Sequence, residues 1–353
     1  MNVVIDEKIP CLKTALEAMG HTVLSKPGVE ICADDVAGAD ALFVRTRTKC
    51  DASLLAGSGV GFIGTATIGY DHIDVDYCAR NGICWTSAAG CNSGAVLQYV
   101  QSAVYAWACE RSVSLGGLSL GVVGVGEIGS KVEAWAREAG MRVLLNDPPR
   151  AQREGGDGFV NLAAIAKECD IITFHPTLSV GGEFPSLHLA DASFFASLKR
   201  CRLLINASRG PVVDNKALLA ALRKGLAADI VLDVWEHEPD VDLTLLNKVY
   251  IATPHIAGYS AEGKMNATRI VLEAFAEFSH FSGELPLPVL DSPFPETVVA
   301  QSYADAVLKI YDPHADSADL KENPVMFEDL RNNYCLRREP ASYKICLEKV
   351  IKC

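Results

Sequence analysis

Leu118-Ser119-Leu120-Gly121-Val122-Val123-Gly124-Val125-Gly126-Glu127-Ile128-Gly129 is a short apolar run that passes directly into a glycine-rich turn. The run reads as a buried strand, and the residues after Gly126 read as the start of a helix. In that strand-to-helix context a G-x-G-x-x-G spacing points to a dinucleotide. The first glycine allows the tight turn, the second lets a pyrophosphate approach the backbone, and the third lets the helix pack on the strand. The helix N-terminus adds partial positive charge for the phosphate oxygens. Gly124, Gly126, Glu127, Ile128 and Gly129 are therefore candidate cofactor-binding residues.

Asp147 stands at the end of the next strand, Arg142 to Leu145, about 20 residues past this loop, where a carboxylate accepts hydrogen bonds from the adenosine ribose. A carboxylate there repels a 2'-phosphate, so NAD is favoured over NADP, with Arg150 as the neighbouring cation. The alternative is that Asp147 only caps the turn before Pro148-Pro149.

Working outward, apolar runs at Ile171 to Phe174, Leu203 to Asn206, Ile230 to Val234 and Tyr250 to Ala252 continue the strands of a parallel sheet. Towards the N-terminus, Val3 to Ile5, Val23-Leu24, Ala41 to Val44 and Phe62 to Gly64 alternate with helical patterns in the same way. Ser93 to Ala108 and Ala261 to Phe281 have the apolar spacing of long helices. Pro286, Pro288, Pro293 and Pro295 mark a linker. The expected fold class is α/β: two Rossmann-like, doubly wound parallel-sheet domains with a small C-terminal α+β domain. The expected boundaries are residues 1–92 plus 257–285 for a substrate (lid) domain, 93–256 for an NAD-binding Rossmann domain, and 286–353 for a C-terminal dimerisation-type domain, with the catalytic cleft between the first two.

Composition narrows the function classes. The 353 residues are 49% hydrophobic and 22% charged, as in soluble globular proteins, and the net charge of -12 argues against nucleic acid or an anionic membrane as the main partner. Met1-Asn2-Val3-Val4-Ile5-Asp6-Glu7 lacks the basic and long apolar regions of a secretory signal, so a cytoplasmic location is expected. The 12 cysteines are scattered without paired C-x-x-C spacing; free thiols and no metal site are expected.

Three later stretches carry chemistry. Asn206-Ala207-Ser208-Arg209-Gly210 ends a strand with an Arg whose guanidinium can hold a carboxylate and polarise a carbonyl oxygen. Asp233-Val234-Trp235-Glu236-His237-Glu238-Pro239 brings carboxylates, and Thr253-Pro254-His255-Ile256-Ala257-Gly258 brings an imidazole. Glu238 bonded to one ring nitrogen of His255 would leave the other nitrogen to exchange a proton with a substrate hydroxyl. His237, flanked by Glu236 and Glu238 in a solvated turn, is the alternative base. On the first domain, Arg45-Thr46-Arg47-Thr48-Lys49 and Gly64-Thr65-Ala66-Thr67-Ile68-Gly69 follow strands and suit an anionic substrate, the alternative being solvated loops.

Through VGVGEIG, NASRG, DVWEHEP and TPHIAG the chain resembles the D-isomer-specific 2-hydroxyacid dehydrogenases. VVIDEKIP, FVRTRTK, GTATIGYDHID, SAAGCN, NDPPR and PHIAGYSAEGK extend the likeness to about Arg338. The resemblance implies that Arg209 and Glu238 are active-site residues and that His255 is the proton donor or acceptor. It implies substrate contacts from Thr46, Thr67 and Tyr259, and cofactor contacts from Asp147, Ser208, Asp233 and Gly258; Arg45 is a further substrate-binding candidate, and Asn206 and Ala207 are further cofactor-binding candidates. It further implies NAD as cofactor, a small phosphorylated four-carbon hydroxyacid as substrate, and a homodimer. His175-Pro176-Thr177-Leu178 departs from the family's usual His-Thr-Pro-Leu or His-Val-Pro-Leu, and Pro176 has no backbone N–H. The alternatives are a dehydrogenase of another 2-hydroxyacid, such as 3-phosphoglycerate or glycolate, and a non-catalytic protein that senses NAD(H).

Overall fold

Apolar runs of four or five residues are too short for helices and are buried on both faces when they pair in parallel. In the computed structural model, which describes residues 1–287 and 297–348, the first such set is β1 (Asn2–Asp6), β2 (Thr22–Lys26), β3 (Ala41–Val44), β4 (Phe62–Thr65) and β5 (Cys84–Ser87). The sheet is parallel, in the order β2-β1-β3-β4-β5. Side chains alternate between two cores: Ala41 and Phe43 of β3 join one, Leu42 and Val44 the other. The sequence reading missed β5, because Cys84-Trp85-Thr86-Ser87 is half polar and lies at the sheet edge, only partly buried.

The second set is β6 (Ser119–Val123), β7 (Arg142–Asn146), β8 (Ile171–Phe174), β9 (Leu203–Asn206), β10 (Asp229–Leu232) and β11 (Ile251–Ala252). These pair in parallel in the order β11-β10-β9-β8-β6-β7. On the outer edge of β7, its Leu145 makes a single parallel bridge to Phe159, and the Val160 N–H donates to the Leu145 carbonyl at 2.7 Å. That bridge is a strand reduced to one pair. Counted in, it makes the order 3-2-1-4-5-6 of dinucleotide-binding sheets, with one further strand beyond. The order reverses between β6 and β8, and the crevice at the carboxyl ends of such a pair is where these sheets take ligands.

The described residues form two compact units, 1–92 with 260–287, and 93–259 with 297–348. Pro288, Pro293 and Pro295 of the expected linker, and the chain end at Cys353, lie outside the described residues. Within the first unit the helix Ala261–Phe278, capped by the Ser260 hydroxyl on the Gly263 N–H at 2.9 Å, returns to pack on β4 and β5. Its Phe275 is fully buried and meets Phe43 edge-on at 5.3 Å, Phe62 at 5.4 Å and His21 at 5.2 Å.

In the second unit the helix Tyr303–Ile310 packs on the helix Ser93–Glu110. The helix Pro313–Glu322 covers the edge strand β11: the Ser317 hydroxyl oxygen accepts the Ala252 N–H at 2.9 Å, and Lys321 Nζ donates to the Val249 carbonyl at 2.7 Å. Leu320 and Phe327 join one core of the large sheet and Tyr311 the other. A small parallel pair, β12 (Thr297–Ala300) and β13 (Lys344–Leu347), completes the α+β C-terminal segment. Among the described residues no helix is long and apolar enough to cross a membrane, and no disulfide joins the cysteines.

Phe275→Ala is expected to lower stability by about 3–5 kcal/mol, since a large ring is removed from a closed aromatic cluster. Urea unfolding followed by fluorescence and circular dichroism measures the shift.

Candidate active site

β9, β10 and β11 lie side by side in one parallel sheet, so the segments that leave their carboxyl ends begin beside one another. Arg209 follows β9, Asp233 to Glu238 follow β10, and Thr253 to Gly258 follow β11. Backbone contacts tie each segment to the next. Gly210 lies against the Trp235 carbonyl with no room for a side chain between them. The Trp235 indole N–H donates to the Thr253 carbonyl at 3.0 Å, and the His255 N–H donates to the Asp233 carbonyl at 2.7 Å.

His255 Nδ1 lies 2.8 Å from Glu238 Oε2, and Glu238 Oε1 accepts the Trp235 N–H at 2.9 Å. With both oxygens engaged the carboxylate is fixed in orientation. It holds the ring proton at Nδ1 and leaves Nε2 as the basic nitrogen. Burial pulls the Glu238 carboxyl upward, but the His255 and Trp235 contacts outweigh it and hold the group below the usual glutamate range. His237, by contrast, is exposed and makes no hydrogen bond among the described residues. Arg209 is extended, with Nη1 donating to its neighbour's carbonyl, Ser208 O, at 2.9 Å; among the described residues no carboxylate pairs with it. Its remaining donors are available to an anion.

The backbone of His255 is left-handed, with φ 59°. The two peptides that follow are gripped from both sides. Asp233, 1% exposed, accepts the Ile256 N–H at 2.8 Å and the Thr253 hydroxyl at 2.7 Å on one oxygen, and the Ala257 N–H at 3.0 Å on the other. Arg337, from the C-terminal segment, donates Nη1 to the Ile256 carbonyl at 2.9 Å and Nη2 to the Ala257 carbonyl. Its other N–H groups go to Ala95 O at 3.1 Å, Gln98 Oε1 at 3.1 Å and the Tyr334 hydroxyl at 3.3 Å. All five donors are used, and the guanidinium also lies over the Tyr311 ring at 4.4 Å. Sequence reasoning missed Arg337 because an Arg in a weakly periodic segment carries no local sign of burial.

At the glycine-rich loop, Gly124 has φ 85° and its Cα faces the Pro176 backbone, and Gly129 packs on the Gly124 carbonyl. Gly126 is different: nothing lies within 4 Å of where a Cβ would stand, so its backbone is open to a pyrophosphate. Glu127 and Ile128 open the helix Glu127–Glu138. Asp147 accepts the Val125 N–H at 2.7 Å and the Arg150 N–H at 2.9 Å, so it caps a helix and steadies the loop; each oxygen keeps a lone pair for a ribose hydroxyl. Arg150 donates to Glu154 at 2.8 Å and to the Val125 carbonyl at 2.8 Å, so these donors are already engaged. Asn206 Oδ1 accepts the Ser208 N–H at 3.2 Å and its hydroxyl at 2.8 Å, and Asn206 Nδ2 donates to Arg209 O at 3.0 Å, shaping the turn around buried Ala207. His175 bonds Thr173 through Nε2 at 2.9 Å, and burial pushes its pKa down to about 3, so the ring is neutral.

In the first unit, Thr67 bonds Thr65 at 2.8 Å and donates to Gly69 O at 2.9 Å, and Thr65 bonds His72 Nε2 at 2.9 Å. Thr46 is exposed and Arg45 half-buried just after β3. Their neighbours have structural partners: the buried Thr48 hydroxyl donates to Gly28 O at 2.8 Å, and Lys49 pairs with Asp51 at 2.9 Å. Composition alone could not separate these roles. Lys264 joins the group from the returning helix; burial first, then Arg45 and Lys8, push its ammonium pKa down. Elsewhere His188, Asp214 and Glu236 bring possible ligand atoms within 4.8 Å of one another, a cluster the scattered positions did not announce. Its members already serve hydrogen bonds, His188 Nε2 to Glu236 at 2.7 Å and Asn215 N–H to Glu236 at 2.8 Å.

Residues 95–257 match the model of the D-isomer specific 2-hydroxyacid dehydrogenase, NAD binding domain. The erythronate-4-phosphate dehydrogenase of Bacteroides fragilis is 50% identical over 99% of this chain and 100% of its own length. The chain belongs to the erythronate-4-phosphate dehydrogenase branch of the D-isomer specific 2-hydroxyacid dehydrogenases. The Bacteroides thetaiotaomicron member of that branch is 49% identical over 98% of this chain and 99% of its own. Among solved structures, the TT0316 protein of Thermus thermophilus is 26% identical with a TM-score of 0.66, over 82% of this chain and 100% of its own. Membership makes this an NAD-dependent oxidoreductase, and the open Gly126 backbone and the helix that follows it suit that cofactor.

Two outcomes test the local energetics. Arg337→Ala removes a donor from the Ala95, Ile256 and Ala257 carbonyls and from the Gln98 side-chain oxygen in a buried place, and is expected to destabilise the second unit by about 3–5 kcal/mol in urea unfolding, with Arg337→Lys recovering part. The depressed Glu238 carboxyl contributes stability that is full above the unfolded glutamate pKa of about 4.3 and is lost as pH falls through the lower folded value. Glu238→Gln should therefore flatten the acid limb of the stability profile below about pH 5, as measured by unfolding midpoints at each pH.

Proposed function

We propose that the protein oxidises 4-phospho-D-erythronate to 3-hydroxy-2-oxo-4-phosphooxybutanoate, a step of pyridoxal 5'-phosphate biosynthesis. The Glu238–His255 pair, at 2.8 Å, carries this reading. Bound NAD supplies the hydride acceptor for C2. His255 Nε2 takes the proton of the C2 hydroxyl as the C2–H bond breaks, and Glu238 stabilises the imidazolium that forms. Arg209 holds the C1 carboxylate and the carbonyl oxygen developing at C2. Arg45, Thr46, Thr67 and Tyr259 contact the substrate. Gly124, Gly126, Glu127, Ile128, Gly129, Asp147, Asn206, Ala207, Ser208, Asp233 and Gly258 line the cofactor. Asp233 acts there through its backbone and through the loop it holds, since both of its side-chain oxygens accept bonds within the protein.

The same reading includes a cytoplasmic homodimer. Exposed apolar side chains on the C-terminal segment support self-association: Val299 and Leu347 on β12 and β13, with Val325 and Met326 nearby in sequence to each other.

The test is NADH formation by the purified protein with 4-phospho-D-erythronate, 3-phosphoglycerate, glycolate and D-lactate. The phosphorylated four-carbon acid should give the highest kcat/KM. His255→Ala should lose about 10²- to 10⁴-fold in kcat while retaining NAD affinity. Wild-type turnover in that variant would remove His255 from the proton transfer.

A further inference from the structure

Six residues before the saturated Arg337, a second arginine faces the same segment in a different state. Arg331 lies on the helix Phe327–Asn332, with its side chain 26% exposed. Nε donates to the Tyr259 hydroxyl at 3.3 Å. Nη1 stands 3.9 Å from Glu238 Oε2 and 4.0 Å from Glu328 Oε1, both beyond hydrogen-bond range. Among the described residues, then, its Nη groups make no hydrogen bond. Arg337 is a closed structural clamp, whereas Arg331 is oriented by Tyr259, largely withdrawn from water, and keeps the open side of its fork unfilled.

Glu238 and Glu328 stand close enough to steady the charge of Arg331 but too far to fill its Nη donors, which an incoming anion can still take. Its place matters: Glu238, the nearest carboxylate oxygen, is the one that binds His255 Nδ1 at 2.8 Å. An anion on Arg331 would therefore sit within a few ångströms of the proton-transfer pair. We infer that Arg331 is a specificity-determining residue of this site, whose fork takes the phosphoryl group of the substrate. The inference rests on the function proposed above, in which Arg209 serves the carboxylate and leaves the phosphoryl group as the second anion. A phosphomonoester presents three acceptor oxygens and up to two charges, which match a planar two-pronged donor better than a lone ammonium. Arg331 lies beyond residues 95–257, the stretch shared with the wider family's cofactor domain, so it is placed to distinguish this branch's substrate.

The test compares wild-type protein with Arg331→Gln and Arg331→Lys, each checked for an unchanged melting temperature. kcat/KM is measured with NAD on 4-phospho-D-erythronate and on unphosphorylated D-erythronate, and inorganic phosphate is titrated calorimetrically into NAD-saturated protein. Arg331→Gln should lose about 10- to 100-fold on the phosphorylated acid and less than about threefold on the unphosphorylated one, and should weaken phosphate binding about tenfold or more. Arg331→Lys, which keeps the charge without the fork, should fall between. Equal losses on both acids with phosphate binding unchanged would mean that Arg331 works only through Glu238, and would overturn the assignment. Should wild-type protein fail to oxidise the phosphorylated acid, the proposed function falls, and the phosphate titration alone decides Arg331: unaltered binding in Arg331→Gln overturns it, weakened binding supports it.

Discussion

The left-handed backbone of His255 is held by a constraint from its surroundings. At His255 that constraint is the pair of peptides just after it, Ile256 and Ala257, whose N–H groups are held by Asp233 and whose carbonyls are held by Arg337. A buried carboxylate and a buried guanidinium do not touch each other but share the same two peptides, each satisfying the polarity that the other cannot. The direction of the imidazole, and hence the length of its bond to Glu238, follows from that grip. Trp235 extends it sideways by donating its N–H groups to Glu238 and to the Thr253 carbonyl.

The arrangement joins stability to chemistry through the C-terminal segment. Arg337 is anchored over Tyr311 and bonded to Gln98 and Ala95, so the segment that carries it is fastened to the helix Ser93–Glu110 and to the loop beside the imidazole. Pro313–Glu322 meanwhile covers the edge of β11, the strand from which His255 emerges. A segment that could have been an appendage is thus part of the scaffold of the Glu238–His255 pair. The cofactor side is built differently, by absence of bulk: Gly124 and Gly129 allow backbones to close, and Gly126 leaves one open.

Most strands were legible because four-residue apolar runs such as Ala41 to Val44 and Leu203 to Asn206 have few other ways to be buried. β5 was not, since an edge strand need bury only part of its side chains and Cys84 to Ser87 shows no such run. The third strand of the cofactor sheet was also invisible, because a single bridge at Phe159 leaves no periodicity to read. In the candidate site, Arg209, Glu238 and His255 were legible as residue types at strand ends. The division of labour around Arg45 to Lys49 was not: Thr48 and Lys49 have the same chemistry as Thr46 and Arg45, and only burial and partners separate them.

By itself the sequence determined the α/β class, the glycine-rich turn between strand and helix, and an Arg, a Glu and a His placed after successive strands, because each is written in local spacing or in a residue's own chemistry. Only the tertiary structure decided that Glu238 reaches His255 while His237 stays in solvent, that Asp233 and Arg337 brace the same peptides, and that Arg331 keeps open donors where Arg337 has none. These are contacts between residues up to 242 positions apart. Local periodicity carries no information at that range; burial and the need to satisfy every polar group do.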